Sequence, residues 1–428
     1  VTSTALLTDH YELTMLQAAL HSGAAQRRCV FEVFARRLPE GRRYGVVAGT
    51  GRLVEAVRAF RFGEAEIERL RAAAVVDAQT LDYLSGYRFS GSISGYAEGE
   101  FYFPGSPLLV VESTFAESVL LETVLLSILN HDCAIASAAS RMTNAAGGRP
   151  CIEMGSRRTH EWAAVAAARA AYIAGFATTS NLEAGRTHGI PTGGTSAHAF
   201  TLLHDDERTA FEAQVASMGI GTTLLLDTYD VAAAVSLAIE VAGVGLGAVR
   251  LDSGDLLVQA REVRAQLDGL GATATRIIVT SDLDEHAIAA LAAAPVDGYG
   301  VGTSLVTGSG AATAGLVYKL VAREDRAGNL VDVAKQSKDK ATVGGRKWAL
   351  RRLDASGKAE AEVIGTGEMP VARSSHRPLL VELVRDGRIV VDLSLQAARS
   401  RYEQSLSELP PRALQLSRGD PVIGTIFE

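Results

Sequence analysis

The chain has 428 residues, of which 47% are apolar and 21% charged, enough for two or three domains around a large core. No apolar run approaches the ~20 residues that span a bilayer, and a net charge of −7 argues against general nucleic-acid binding while leaving room for a local basic pocket. The three cysteines, Cys29, Cys133 and Cys151, are odd in number and far apart, which suits a reducing compartment and provides neither a disulfide framework nor a zinc cluster. The first residues lack the basic start and apolar core of a secretory leader, so a cytoplasmic location is expected.

In chain order, the stretch from Leu6 to Met15 opens a helix, with Thr8 or Asp9 as cap, Leu13, Leu16 and Leu20 at helical spacing and Tyr11 in the first turn. Cys29 to Phe34 has the β-branched and aromatic content of a strand that ends at Arg36 and Arg37. A short apolar run at Gly45 to Ala48 precedes a helix over Leu53 to Phe60, and residues 65–85 read as one or two short helices. Ser-Gly, Glu-Gly and Pro-Gly turns break Phe89 to Val111 into short strands. Phe115 to Ala139 then reads as one long buried helix, apolar over most of its circumference.

From about residue 150 short apolar strands alternate with helices. The candidates are Cys151–Glu153, Phe176–Thr178, Ile190–Thr192, Thr223–Leu226, Ala248–Leu251, Ile277–Thr280 and Gly298–Val301. Such spacing fits β/α units in a barrel or parallel sheet. The segments following these strands are Gly155-Ser-Arg157, Thr179-Ser-Asn181, Gly193 to His198, Asp227-Thr-Tyr229, Asp252-Ser-Gly-Asp255, Ser281-Asp282 and Gly302-Thr303. In a barrel those C-terminal ends converge on one pocket. Any single acidic residue among them reads as a helix cap, but capping alone does not explain polar groups at every strand end.

The glycines of Pro191-Thr-Gly-Gly-Thr-Ser-Ala-His198 allow close approach to a phosphate, and a histidine at the start of the next helix has a nucleophilic imidazole able to carry a phosphoryl group. Asp252 and Asp255 offer carboxylates to ribose hydroxyls or Mg2+, and Arg250 and Arg157 offer bidentate guanidinium contacts to a carboxylate or phosphate. The pocket therefore reads as built for a phosphorylated sugar with an anionic co-substrate. Beyond it, Leu316 to Ala322 is a strand candidate, and the basic run from Lys335 to Lys347 is either a solvated loop or a cover for a phosphate-rich ligand. The last hundred residues return to short strands, with Lys347–Arg352, Ala361–Ile364 and Ile389–Val391 as candidates.

Several blocks, in order, carry a family resemblance. They are Thr8-Asp-His-Tyr-Glu-Leu-Thr-Met15, Glu153-Met-Gly-Ser-Arg-Arg-Thr-His160, Thr179-Ser-Asn-Leu-Glu-Ala-Gly185, Gly194-Thr-Ser-Ala-His198, Leu226-Asp-Thr-Tyr-Asp230, Val249-Arg-Leu-Asp-Ser-Gly-Asp255, Gly300-Val-Gly-Thr303 and Val317-Tyr-Lys-Leu-Val321. Together they resemble nicotinate phosphoribosyltransferase. The resemblance implies an α/β type II phosphoribosyltransferase-like fold, an irregular β/α barrel plus an α+β domain formed by both chain ends. The expected division is 1–140, 141–320 with the active site, and 321–428 completing the first domain. It implies transfer of phosphoribosyl from phosphoribosyl pyrophosphate to nicotinate in NAD salvage, Mg2+ as cofactor, ATP as co-substrate, and a homodimer with shared sites.

Carried over by position, His198 matches the histidine that ATP phosphorylates, Asp227 the acidic residue beside it, and Asp252 a ribose-hydroxyl ligand, with Asp255 beside it in the same block. Arg250 matches a residue at the pyridine ring and is expected to take the nicotinate carboxylate. Arg157 matches a second arginine of the base and phosphate pocket. Tyr11 matches an aromatic that stacks on the ring from the partner subunit, and Met154 stands where some relatives present an aromatic on the other face. Gly302 and Thr303 match a 5′-phosphate loop, and Arg36, Lys338 and Lys340 are expected at the pyrophosphate.

The sequence departs from relatives at His10 and Glu12, where many have Leu and Gln. Asn181 stands where the nicotinamide-using cousin has aspartate, which favours the acid over the amide as substrate. No cysteine follows Cys151, so a cysteine-bound zinc knuckle is not expected. The alternatives are nicotinamide phosphoribosyltransferase, a sugar-phosphate β/α-barrel enzyme, for which a strand-end lysine is missing, and a non-catalytic nucleotide-binding regulator, which does not need His198, Asp227 and Asp252.

Overall fold

The structure, a computed structural model, describes residues 2–335, 343–371 and 374–428. The chain divides into two compact units, Val1–Ser137 with Thr313–Glu428, and Ala138–Ala312. Among the described residues no helix is long and apolar enough to cross a membrane.

The first unit is built mainly on antiparallel sheet, with one parallel pairing between Ala359–Thr366 and Gly424–Phe427. Its seven-stranded sheet runs in the order Leu330–Asp332, Leu316–Glu324, Arg28–Ala35, Leu109–Thr114, Ser92–Tyr96, Leu380–Arg385 and Arg388–Ile389, so strands from both chain ends pair directly. Phe31 and Tyr318 on neighbouring strands stack with centroids 4.7 Å apart. A four-stranded sheet of His376–Pro378, Lys347–Leu353, Ala359–Thr366 and Gly424–Phe427 comes wholly from the C-terminal segment. Helix Leu395–Glu408, with Ser394 accepting from the Ala397 amide, was not anticipated from the sequence. Its apolar positions are too few to register as an amphipathic stripe; only Ala398 and Tyr402 are buried apolar residues in it. The expected single helix from Phe115 is two helices, Phe115–Val119 and Glu122–Ala145. Thr114 caps the first through the Glu117 amide.

Glu12 links two helices of this unit. It lies in the first turn of helix His10–His21 and is fully buried. Its Oε1 accepts from the Thr123 amide at 3.0 Å and the Thr123 hydroxyl at 2.5 Å, satisfying an unpaired amide at the start of helix Glu122–Ala145. The Thr8 hydroxyl donates to its other oxygen. Burial pushes this carboxyl up to about 7, and the neighbouring Glu122 carboxylate adds to the rise. Below pH ~4.5 Glu12 is neutral in both folded and unfolded chain and costs nothing. As pH rises towards 7 the unfolded chain ionises first, so stability falls, by ~3 kcal/mol at most, and levels off above 7. Glu12→Gln is therefore expected to melt above the parent at pH 8 and to lose that advantage at pH 4.5. An advantage of equal size at both pH values would rule this out.

The second unit is β/α. Its six-stranded sheet has the order Thr178–Thr179, Cys151–Glu153, Gly298–Val301, Arg276–Val279, Ala248–Leu251 and Thr223–Leu225, with every pairing parallel. It is the curled sheet of a partial barrel. The expected strand Ile190–Thr192 is only a parallel bridge from Thr192 to Thr179. Its Pro191 has no amide to give a ladder, and Gly193 and Gly194 follow at once. The intervening helix Glu161–Ile173 is rich in alanine, and Ala164, Ala167 and Ala171 are buried in it, which permits close backbone packing.

Candidate active site

The site residues of the second unit stand at the C-terminal ends of its strands, as barrel geometry requires. Strand Thr223–Leu225 delivers Asp227 and Thr228; strand Ala248–Leu251 carries Arg250 and delivers Asp252 and Ser253. Helix His198–Leu203 begins at His198, after the exposed glycine loop. These segments meet. His198 Nε2 lies 3.9 Å from Asp227 Oδ1 and 3.8 Å from Asp252 Oδ2, while Nδ1 is 3.1 Å from the Thr228 hydroxyl. Thr228 is thus the direct hydrogen-bond partner of the imidazole, a role the sequence reading gave to Asp227 alone.

Asp227 is the anchor of the group. Its side chain is 3% exposed, against 39% for His198. Its Oδ2 accepts from the Asp252 amide at 3.0 Å and the Ser253 hydroxyl at 2.5 Å, which ties the two strand ends together. Its Oδ1 is buried and has no hydrogen-bond partner. Asp252 is held from the other side by the Thr280 hydroxyl. The next residue, Ser281, sits at φ 115°, a backbone strain of ~1–3 kcal/mol that tends to be stored at functional sites.

Arg250 is half-buried, and its Nε is buried without a hydrogen-bond partner. Burial lowers its pKa, Asp252 and Asp227 oppose that, and the Arg157 charge adds to the lowering. Arg157 itself is exposed in the short 3-10 turn Ser156–Arg158. Met154 is half-buried, with its sulfur close over Gly300: a Cβ added at Gly300 would lie 2.8 Å from Met154 Sδ. Gly302 precedes the short helix Thr303–Val306, and Thr303 is exposed there.

Two residues have local structural duties. Asn181 Oδ1 accepts from the Ala184 amide at 2.9 Å, capping helix Leu182–His188, and its Nδ2 donates to Ser156 Oγ at 2.9 Å. Asp255 caps helix Leu256–Gly269 through the Val258 amide at 3.2 Å. Tyr11 and Arg36 belong to the first unit. Tyr11 is 46% exposed, and burial of its hydroxyl with the nearby Glu122 carboxylate raises it to about 12. Arg36 has a buried Nε without a hydrogen-bond partner. Lys338 and Lys340 lie outside the described residues.

Among the described residues no group of three or more His, Cys, Asp or Glu side chains is placed to hold a metal ion. The unpartnered Asp227 Oδ1 with Asp252 beside it fits a cation that takes one or two carboxylates and completes its shell with water and substrate phosphate, the habit of Mg2+.

The sequence profile of the nicotinate phosphoribosyltransferase (NAPRTase) N-terminal domain matches residues 6–130. Nicotinate phosphoribosyltransferase pncB1 of Mycobacterium tuberculosis is 59% identical over 98% of this chain and 94% of its own length. The chain belongs to the nicotinate phosphoribosyltransferase family. The family member of Bacillus subtilis is 38% identical over 83% of this chain and 74% of its own length. The crystal structure of human nicotinic acid phosphoribosyltransferase superposes with a TM-score of 0.84 at 27% identity, covering 98% of this chain and 97% of that one. Family membership bears on the fold directly: a curled parallel sheet in one unit and, in the other, an antiparallel sheet that takes strands from both chain ends.

Proposed function

We propose that this chain makes nicotinate mononucleotide and pyrophosphate from nicotinate and phosphoribosyl pyrophosphate, in NAD salvage, with ATP hydrolysis coupled through a phosphohistidine at His198. The observation that carries the reading is the His198, Asp227, Asp252 and Arg250 group at adjoining strand ends, within a chain so close in sequence to named nicotinate phosphoribosyltransferases.

The chemistry asks little of acids and bases. The pyridine nitrogen lone pair forms the new bond to the anomeric carbon, and the bond from that carbon to the pyrophosphate oxygen breaks with its electrons leaving on pyrophosphate. No proton moves. The residues must align the reactants and balance charge. Arg250 and Arg157 bind the nicotinate carboxylate and neighbouring phosphate. Asp252 accepts from ribose hydroxyls, and Gly302 and Thr303 cradle the 5′-phosphate. Asp227 and Asp252 would hold Mg2+, which when bound neutralises charge on the departing pyrophosphate. His198 takes the γ-phosphoryl group: an N–P bond forms, the bond to ADP breaks, and water later releases phosphate. In this reading Tyr11 stacks on the pyridine ring from the partner subunit of a homodimer.

The test offers nicotinate and nicotinamide together to the purified protein with phosphoribosyl pyrophosphate, Mg2+ and ATP. Nicotinate mononucleotide with ADP is expected. Nicotinamide mononucleotide as the main product would overturn the acid-selective reading of Arg250 and Asn181.

A further inference from the structure

Glu153 is used by nothing in the mechanism above. It ends the strand Cys151–Glu153, is 0% exposed and, among the described residues, has no cationic partner within salt-bridge distance. An uncompensated buried carboxyl is expensive, and an apolar side chain of similar volume would fill the space at lower cost. Its bonds show what the carboxyl does instead. Oε1 accepts from the Gly155 amide, and Oε2 accepts from the Thr179 hydroxyl. Thr179 Oγ1 in turn accepts from the Asn181 amide at 3.0 Å. Asn181 Nδ2 donates to Ser156 Oγ at 2.9 Å, next in the chain to Gly155. The bonds close a ring through Glu153, Gly155, Ser156, Asn181 and Thr179.

The ring determines the direction of the Asn181 amide. Its Oδ1 must face the Ala184 amide that it caps, so its NH2 edge faces the turn that bears Arg157. The same turn is braced underneath: a Cβ at Gly155 would meet Val306 Cγ1 at 2.2 Å and Gly302 O at 3.0 Å. No side chain at position 155 fits without displacing Val306.

We infer that Glu153, acting through Thr179, is a positioning residue that holds Asn181 and the Met154-to-Arg157 turn in the register that presents nitrogen donors to the base carboxylate. This rests on the proposed function, whose base-binding groups it orients. Burial raises the Glu153 carboxyl, with the Thr179 and Gly155 bonds opposing, consistent with a group retained for its bonds and not for its charge.

The experiment compares Thr179→Val, Thr179→Ser and Glu153→Gln with the parent protein in steady-state kinetics. Thr179→Val removes the hydroxyl at nearly constant volume. It is expected to raise KM for nicotinate by about tenfold, to move kcat and KM for phosphoribosyl pyrophosphate by less than about threefold, and to narrow the preference for nicotinate over nicotinamide. Thr179→Ser restores the hydroxyl and should restore KM. Glu153→Gln keeps an acceptor for Gly155 but reverses the bond to Thr179, so a smaller rise of the same kind is expected, a measurement that stands if the valine variant does not fold. Unmoved nicotinate KM in a folded Thr179→Val or Glu153→Gln protein would overturn the inference alone. So would a loss shared equally by both substrates and not rescued by serine. A parent protein that turns over no nicotinate would instead overturn the proposed function, and the inference with it.

Discussion

Arg250→Ala is expected to lower kcat/KM for nicotinate by about 10²–10³-fold, which is about 3–4 kcal/mol, mainly through KM. Arg250 is a half-buried cation with an unpartnered Nε, and its nearest balancing charges, Asp252 and Asp227, are already engaged by Thr280, Ser253 and a backbone amide. Such a guanidinium gains most from an anion that arrives and completes its hydrogen bonds. Nicotinate brings a carboxylate in the plane of its ring, which a planar fork of N–H donors matches. Truncation removes the charge and leaves the bound carboxylate desolvated without a partner. Nicotinamide lacks that charge, so its poor use should change little. The signature is a collapse of the acid-over-amide ratio in competition assays. Arg250→Lys should recover charge but not the fork, and so only part of the affinity. Equal losses for both bases would show that Arg250 serves the sugar phosphate and not the base.

Much of this arrangement was legible in the sequence because barrel strands are short, continuous apolar runs with polar residues directly after them. Cys151–Glu153, Ala248–Leu251 and Gly298–Val301 fall where the apolar runs do. The glycine loop gave His198 its place at a helix start for the same reason: loop chemistry is local. Contacts between strand ends are not local, and there the reading fell short. Nothing in the run Asp227-Thr-Tyr229 says that Thr228 hydrogen-bonds the imidazole while Asp227 lies beside it at 3.9 Å. Nor does the spacing between Asp227 and Ser253 announce their hydrogen bond, since it depends on two parallel strands lying side by side. Glu153 was invisible for a further reason. A carboxylate at a strand end looks like a site residue or a cap, and only burial without a cation marks it as a brace. Asn181 and Asp255 show the converse, with cap geometry accounting for one side-chain oxygen of each and Ser156 engaging the Asn181 Nδ2. In the C-terminal segment the strand expectation missed helix Leu395–Glu408, because its polar face outweighs its buried one.

His198→Ala is expected to abolish retention of label from γ-labelled ATP and to make the nicotinate KM insensitive to ATP, while transfer without ATP persists. The two partners are unequally exposed. The imidazole is 39% exposed and open to a phosphoryl donor, whereas Asp227 is 3% exposed and sequestered. Thr228 holds Nδ1 at 3.1 Å and so fixes the ring plane, leaving Nε2 facing the two carboxylates at 3.8 and 3.9 Å. Those separations are too long for good hydrogen bonds. A phosphoryl group added to the ring would bring negative charge towards Asp227 and Asp252. The phosphorylated state is therefore high in free energy unless a cation or a rearrangement of the strand ends relieves it. In the proposed reaction that would be the condition for coupling: the repulsion would be discharged when phosphate leaves, and any difference in substrate affinity between the two states would follow from it. Asp227→Asn should keep the bonds to Ser253 and the Asp252 amide through its oxygen while removing one charge. It is expected to prolong the phosphoenzyme and to shrink the effect of ATP on nicotinate KM. Labelled protein that survives the alanine substitution at 198 would place the phosphoryl group elsewhere, and undiminished ATP dependence in that variant would remove the histidine from the coupling altogether.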